Sequence, residues 1–257
     1  MCEAALERGD RVFATARNLA TIADIGSRWP GNAHIAELDV TVANSIKNAV
    51  QEAVAVFGWI DVLVNNAGYG LIGSLEESSD EQIQRNFNVN FFGALNLIRA
   101  TLPQFRSKKG GHVINISAAA AIVNYPGFGI YGAAKSALEG MSESLAAEGR
   151  SFGLKVTIVE PGPFRTDFIS RSLEHSLSDV EEYHGSVGKF AKFIAGIDGK
   201  QPGDPVKAAQ QILQAVDAEK PPLRLVLGKY AIEKTRRSFV QRETELTQWE
   251  ECGLAAD

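Results

Sequence analysis

Short apolar runs alternate with longer stretches of helical periodicity along most of the chain, and this alternation limits the folds open to it. The apolar runs are predicted strands: Val12–Ala14, Ile35–Val40, Ile60–Asn65, His112–Ile116, Lys155–Glu160 and Leu223–Leu227. The stretches with a period near 3.6 residues are predicted helices: Val42–Phe57, Gln82–Phe105 and Gly132–Phe152. Such an order predicts βαβ units, and therefore an α/β fold with a doubly wound, Rossmann-like parallel sheet.

The whole chain, residues 1–257, is predicted to form one domain, since this length is ordinary for an α/β domain. Residues 168–203 mix aromatic and polar side chains, and we expect an insertion there on the substrate side of the sheet. Its histidines, His175 and His184, are interpreted as surface residues, and no metal site is expected.

Composition argues against two classes of partner. The net charge of −5 and the lack of a basic stripe argue against nucleic acid, and no apolar run is long enough for a membrane span. No signal peptide is apparent at the start. Cys2 and Cys252 are isolated and fit neither a metal site nor a disulfide framework. We therefore expect a cytoplasmic protein that binds a small molecule.

Tyr131 and Lys135 stand four residues apart in a predicted helix, and such residues share one helix face. A nearby ammonium group lowers the pKa of a tyrosine hydroxyl, which otherwise titrates near ~10. A tyrosine of this kind can exchange protons near neutral pH. Taken alone, the pair is also compatible with two surface side chains.

Four further segments place polar residues or glycines where ligands bind in open α/β sheets, at the carboxyl ends of strands. They are Asn65-Asn66-Ala67-Gly68, Asn88-Val89-Asn90, Asn115-Ile116-Ser117 and Glu160-Pro161-Gly162-Pro163.

With these motifs, the sequence resembles the short-chain dehydrogenase/reductase family from about Glu3 to Leu227. The resemblance implies that Tyr131 donates or accepts a proton, that Lys135 lowers its pKa and holds the nicotinamide ribose, and that Asn90 anchors a relay water. It also implies a set of cofactor contacts: Asp39, Asn66, Ala67, Gly68, Arg99, Pro161, Gly162, Phe164 and Thr166. For Arg99, a solvated side chain is an equal alternative.

The end of the second strand of such folds selects the cofactor. An acidic residue there binds a ribose 2′-hydroxyl, whereas an arginine suits a 2′-phosphate. Here Arg17 follows Phe13-Ala14-Thr15-Ala16 without an acid before it. We therefore expect NADP(H) rather than NAD(H). The alternative is that Arg17 only caps a surface turn.

The sequence departs from the family pattern in two places. The first strand and its phosphate-binding glycine loop have no counterpart, which indicates either a truncated copy or a start further upstream. The substrate-orienting serine is expected thirteen residues before Tyr131, where Ala118 stands. Ser117 is the neighbouring candidate, although adjacent strand residues point to opposite faces.

The leading hypothesis is an oxidoreductase that moves hydride between NADP(H) and an alcohol or ketone of an apolar molecule. Family members are usually dimers or tetramers, and the resemblance implies an interface on Gln82–Phe105 and Gly132–Phe152. The alternative is a catalytically impaired or inactive relative with a binding or structural role. Expected substrate contacts are Phe164, Phe168, Ile169, Tyr183, Phe190 and Phe193. For Tyr183, Phe190 and Phe193, a small satellite core is an equal alternative.

Overall fold

The computed structural model describes the whole chain, Met1–Asp257. Its strands are β1 (Val12–Ala16), β2 (Ala33–Glu37), β3 (Val62–Asn65), β4 (Gly70–Ile72), β5 (Gly111–Ile116), β6 (Leu154–Pro161), β7 (Leu173–His175) and β8 (Arg224–Leu227). Its α-helices are α1 (Cys2–Glu7), α2 (Ala23–Arg28), α3 (Ala43–Phe57), α4 (Asp80–Phe87), α5 (Gly93–Lys108), α6 (Ala119–Ile122), α7 (Gly129–Glu148), α8 (Phe168–Arg171), α9 (Lys189–Gly196), α10 (Pro205–Asp217) and α11 (Lys229–Leu254).

Four parallel strands form the largest sheet, in the order β3–β5–β6–β8. Helices cover both of its faces because neighbouring strand residues point in opposite directions. Val113 packs with Ile98, Phe105 and Leu145 of α5 and α7, whereas Ile114 packs with Ile212 of α10. The predicted α/β fold with a parallel sheet is confirmed.

The strands β1 and β2 form a separate parallel pair, with Ala14 opposite Ile35. No strand pairs with the other edge of β1 or with the free edge of β3. These two edges therefore have no ladder partner for their backbone groups.

Several predicted boundaries were wrong. The second strand ends at Glu37 rather than Val40, because the chain turns where Asp39 Oδ1 accepts a 2.8 Å hydrogen bond from the Thr41 backbone N–H. The predicted helix Gln82–Phe105 is α4, a π-helix at Asn88–Phe92, and α5. The predicted helix Gly132–Phe152 begins at Gly129 and ends at Glu148, where a 3-10 turn follows.

The insertion at residues 168–203 contains α8, β7 and α9, and β7 pairs with β4 beside the carboxyl ends of the main sheet. After the insertion, α10 leads to β8, which is the last strand of the main sheet. The chain then forms a 26-residue helix, α11, which was not predicted from the sequence. None of the helices is both long and apolar enough to cross a bilayer.

Candidate active site

The carboxyl ends of β3, β5 and β6 open onto one cavity of about 700 Å³. Nine of the predicted site residues line it: Asn66, Gly68, Ser117, Tyr131, Lys135, Pro161, Gly162, Phe164 and Thr166. Five do not: Arg17, Asp39, Ala67, Asn90 and Arg99. The structure thus gathers most of the predicted residues at one place, as expected for the edge of a parallel sheet.

Tyr131 lies on α7 with its ring almost buried, at 6% exposure. The ring packs against Phe128, with centroids 5.3 Å apart, and against Phe168 at 5.7 Å. The hydroxyl makes no hydrogen bond within the protein, although the side chain lines the cavity. It is therefore available to a substrate oxygen.

Burial raises the pKa of Tyr131 above its ordinary value in this structure. The sequence predicted the opposite direction, because it placed a lysine one helical turn away. Lys135 Nζ does lie 5.9 Å from the centre of the tyrosine ring. Desolvation of the phenolate is the larger effect, since the side chain is buried among aromatic rings.

Lys135 lies one turn further along α7, and its Nζ donates a 2.9 Å hydrogen bond to the carbonyl of Ile116. Burial lowers its pKa to about 8, and the nearby charge of Glu139 opposes that shift. An ammonium group has three donors, so two remain for a ligand in the cavity. The side chain is therefore suited to hydroxyl groups such as those of a ribose.

Asn90 lies outside the cavity and holds the loop that follows β3. Its Nδ2 donates to the carbonyls of Tyr69 (2.9 Å) and Asn86 (3.1 Å), and its Oδ1 accepts from the Tyr69 backbone N–H. Both side-chain donors are occupied. Asn90 can therefore contact a relay water only through its acceptor oxygens.

Gly68 is the residue that lets this loop approach the lysine. A Cβ atom at this position would lie 2.6 Å from Asn90 Oδ1 and 3.2 Å from Lys135 Nζ. Any larger residue would displace one of these side chains.

The side chains of Ser117 and Ala118 contact different parts of the protein, as expected for neighbouring residues that point to opposite faces. The Ser117 hydroxyl donates a 2.5 Å hydrogen bond to Glu139 Oε1 and does not hydrogen-bond Tyr131. Ala118 packs in the cluster that contains Tyr131 and Phe128. The position nearest the tyrosine therefore carries no hydroxyl group.

Behind Ser117 is a partly buried ion-pair network that was not predicted from the sequence. Arg224 of β8 contacts Glu139 Oε2 at 2.5 Å and Glu160 Oε1 at 2.6 Å. A third carboxylate, Glu143, lies 2.6 Å from the same guanidinium group. The only sequence signal was the position of Glu139, four residues after Lys135. The network fixes β6, β8 and α7 relative to one another.

Arg17, which was proposed to select the cofactor, and Asp39, another predicted cofactor contact, lie just after the ends of β1 and β2. Hydrogen bonds from Thr41 lower the pKa of Asp39, and the positive charge of Arg17 adds to this effect. Arg17 is exposed and makes no ion pair. Arg99, also exposed, lies on α5 outside the cavity.

Aromatic side chains form the wall of the cavity that faces the insertion. Of the predicted substrate contacts, Phe164, Phe168, Ile169, Phe190 and Phe193 line the cavity. Tyr183 does not line it, because its hydroxyl is bound to Glu76 at 2.8 Å. Two further residues of this wall, Tyr125 and Tyr230, were not predicted, and their hydroxyls lie 3.0 Å apart.

Comparisons with known proteins agree with this arrangement. Residues 1–176 match the family described as short chain dehydrogenase. The oxidoreductase BOA17 of Botryotinia fuckeliana is 33% identical over 258 residues, which cover 100% of this chain and 93% of that protein. The 3-ketodihydrosphingosine reductase of Bacteroides thetaiotaomicron is 34% identical, covering 86% of this chain and 80% of that protein.

Solved structures show the same fold. A short-chain dehydrogenase from Streptomyces avermitilis superposes with a TM-score of 0.93 at 39% identity, covering 99% of this chain and 93% of that one. A gluconate 5-dehydrogenase from Burkholderia cenocepacia, 25% identical with a TM-score of 0.62 over 65% of this chain and 67% of its own, was solved with NADP and tartrate. Short-chain dehydrogenases of this kind bind NAD or NADP.

None of these matches shows that a first strand or a glycine loop has been lost, so that prediction is not confirmed. The family match covers more than half of the chain, and it agrees with the position of Tyr131 and Lys135 on one cavity wall. The chain belongs to the short-chain dehydrogenase family and is a dehydrogenase or reductase of that family.

Proposed function

We propose that this enzyme moves a hydride between NADP(H) and the alcohol or ketone group of an apolar small molecule. The observation that carries the proposal is the Tyr131 hydroxyl, which has no protein partner and belongs to a cavity lined mostly by hydrophobic residues. Lys135 lies on the same wall with two unused donors.

Tyr131 and Lys135 have different parts in the proton transfer. Tyr131 gives its proton to the substrate oxygen during reduction and accepts it during oxidation. Lys135 holds ribose hydroxyls and, while protonated, favours the phenolate form of Tyr131. The bound nicotinamide supplies or accepts the hydride. Pro161, Gly162 and Thr166 line the cavity where they can contact its ring.

Asn90 and Ser117 act in this proposal through other groups. Asn90 fixes the Tyr69 loop and offers acceptor oxygens to a relay water. Ser117 is a positioning residue, because its hydroxyl holds Glu139, which lies one turn beyond Lys135 on α7.

An apolar substrate is favoured by the aromatic wall. Tyr125 and Phe190 stack with their centroids 5.1 Å apart, and Phe128 packs edge-on against Phe190 at 5.0 Å. A relative named for its action on 3-ketodihydrosphingosine is consistent with a ketone on an apolar chain. The test is a screen of purified enzyme with NADPH against apolar ketones and, as controls, polar sugars and hydroxy acids. Faster turnover of the polar compounds would contradict the proposal.

The preference for NADP(H) rests on Arg17, which is exposed near Asp39 and has no ion-pair partner to compete with a 2′-phosphate. We expect Arg17→Asp to shift the ratio of kcat/KM for NADPH and NADH toward NADH by about 10-fold or more, since a charge-assisted contact is lost. Arg106→Asp, at an exposed site on α5, is the matched control. An unchanged ratio for Arg17→Asp would disprove the assignment.

A further inference from the structure

One face of the C-terminal helix α11 forms a continuous stripe of residues. The rest of the protein covers only the first half of this stripe. Ala231, Thr235 and Ser238 are spaced by four and three residues and are buried against the body of the protein. Arg242 continues the stripe and donates through Nη2 to the Ile122 carbonyl at 3.2 Å. This spacing keeps residues on one face of a helix.

The second half of the stripe continues beyond the edge of the body. Leu246 and Trp249 repeat the spacing of four and three residues, and they are 65% and 69% exposed. Phe239 flanks the same face and is 59% exposed. Every residue from 239 to 257 is exposed. The helical part of this segment, residues 239–254, is about 24 Å long at 1.5 Å per residue.

The charges of α11 are also divided between its halves. Residues 229–242 contain five basic side chains and one acidic one, whereas residues 243–254 contain four acidic side chains and none that is basic. This order is the reverse of what the helix dipole favours, since cations stabilise the C-terminal end and anions the N-terminal end.

We propose that the overhanging half of α11 pairs with the same half of a second copy of this chain in an antiparallel arrangement about a twofold axis near Leu246. Leu246 and Trp249 of each copy fill the seam between the helices. The basic residue Arg242 then lies opposite Glu250 of the partner subunit, and the two helix dipoles oppose each other. This surface is separate from α5 and α7, where the family resemblance implies an interface.

Self-association follows from the self-complementary charge, because one twofold operation brings each basic half to an acidic half. A membrane surface is the less favoured occupant, since Leu246 and Trp249, the exposed apolar residues of the stripe, lie in the acidic half of the helix, which anionic lipids would repel.

The test is the molecular mass in solution, measured by sedimentation over a range of protein concentrations. Leu246→Glu should raise the dissociation constant of the assembly by 10-fold or more and halve its mass, because it places a charge in the seam. The matched control is Val240→Glu, which introduces the same charge at an apolar residue, 68% exposed, on the opposite face of the same helix. It should change the constant by less than about twofold, as other surface changes do.

A charge exchange tests the antiparallel order. Arg242→Glu and Glu250→Arg should each weaken association alone, and an equimolar mixture of the two variants should restore it. A monomeric wild-type protein, equal masses for Leu246→Glu and wild type, or a mixture that stays dissociated would each overturn the proposal. Flotation of a monomeric wild-type protein with neutral phosphatidylcholine vesicles would overturn it in favour of a lipid surface.

Discussion

The hydroxyl of Ser117 lies 2.5 Å from Glu139 Oε1 and is therefore committed to the ion-pair network of Arg224. Ala118, the next residue, packs beside Tyr131. The residue that packs beside Tyr131 at this position thus has no side-chain donor, and the hydroxyl one residue away holds Glu139 of α7 instead.

Replacing Ala118 by serine should supply the missing donor. Because a preorganised donor to the reacting oxygen is worth ~10²–10³ in rate, we expect Ala118→Ser to raise kcat by at least about 10-fold with the best substrate of the screen. Steady-state kinetics provide the measurement. The control is Ser117→Ala, which should lower stability by about 1–3 kcal/mol through loss of a partner for a buried carboxylate. If only Ser117→Ala abolishes turnover, the two positions have been assigned the wrong roles.

Lys135 should reduce the stability of the fold, because its ammonium group is buried. Its pKa falls from 10.5 to about 8 on burial, so the unfolded chain binds more protons between these pH values. The free energy of unfolding therefore rises with pH in this window. The destabilisation caused by the buried ammonium group is fully present below pH 8. Lys135→Met should stabilise the protein at pH 7 by on the order of 1–3 kcal/mol and abolish activity.

Thermal unfolding between pH 7 and pH 10.5 checks this effect. The increase in the free energy of unfolding that Lys135→Met produces should shrink as the pH approaches 10.5. The control Lys207→Met, at an exposed position on α10, should show no such dependence on pH. A variant that is less stable than wild type at pH 7 would refute the expectation that burial of the charge is unfavourable.

Much of the fold was predictable because its physical cause is local. Strands covered on both faces are apolar throughout, and the runs around β3, β5, β6 and β8 show this directly. The site was predictable in outline, since Asn66, Gly68, Tyr131 and Lys135 belong to short motifs that the sheet brings together.

Other features depend on contacts between distant residues. Arg224 meets Glu139 only because β8 pairs with β6, and no local pattern encodes a pairing across 85 positions. The pKa of Tyr131 follows from the rings of Phe128 and Phe168, and neither ring was predicted to pack against it. The helix α11 was missed because its second half is polar on most sides and its apolar stripe is narrow.

Gly68 should be intolerant of a side chain. A Cβ atom there would lie 2.6 Å from Asn90 Oδ1, so Gly68→Ala must displace Asn90 or Lys135. Because catalytic groups displaced by about 1 Å can cost ~10² in rate, we expect kcat/KM to fall by at least about 10-fold. Gly140→Ala on α7 is the control, since a Cβ atom there meets no atom within 4 Å. Unchanged kinetics for Gly68→Ala would show that the loop adjusts freely.

The role of Tyr131 can be tested by removing its hydroxyl alone. That group has no hydrogen-bond partner in the protein, and the ring packing does not depend on it. Tyr131→Phe should therefore unfold at the wild-type temperature within about 2 °C, since a change away from structural contacts is worth only a few tenths of a kcal/mol.

The most direct measurement is the rate at which wild type and Tyr131→Phe consume NADPH with the best ketone of the screen, at equal saturation with cofactor. Because proton transfer by a positioned side chain contributes ~10²–10⁴ in rate, we predict that the variant loses at least about 99% of the activity while it keeps its fold. Retention of more than about a tenth of the wild-type rate would contradict the assignment of Tyr131 as the proton donor, given the size of that contribution.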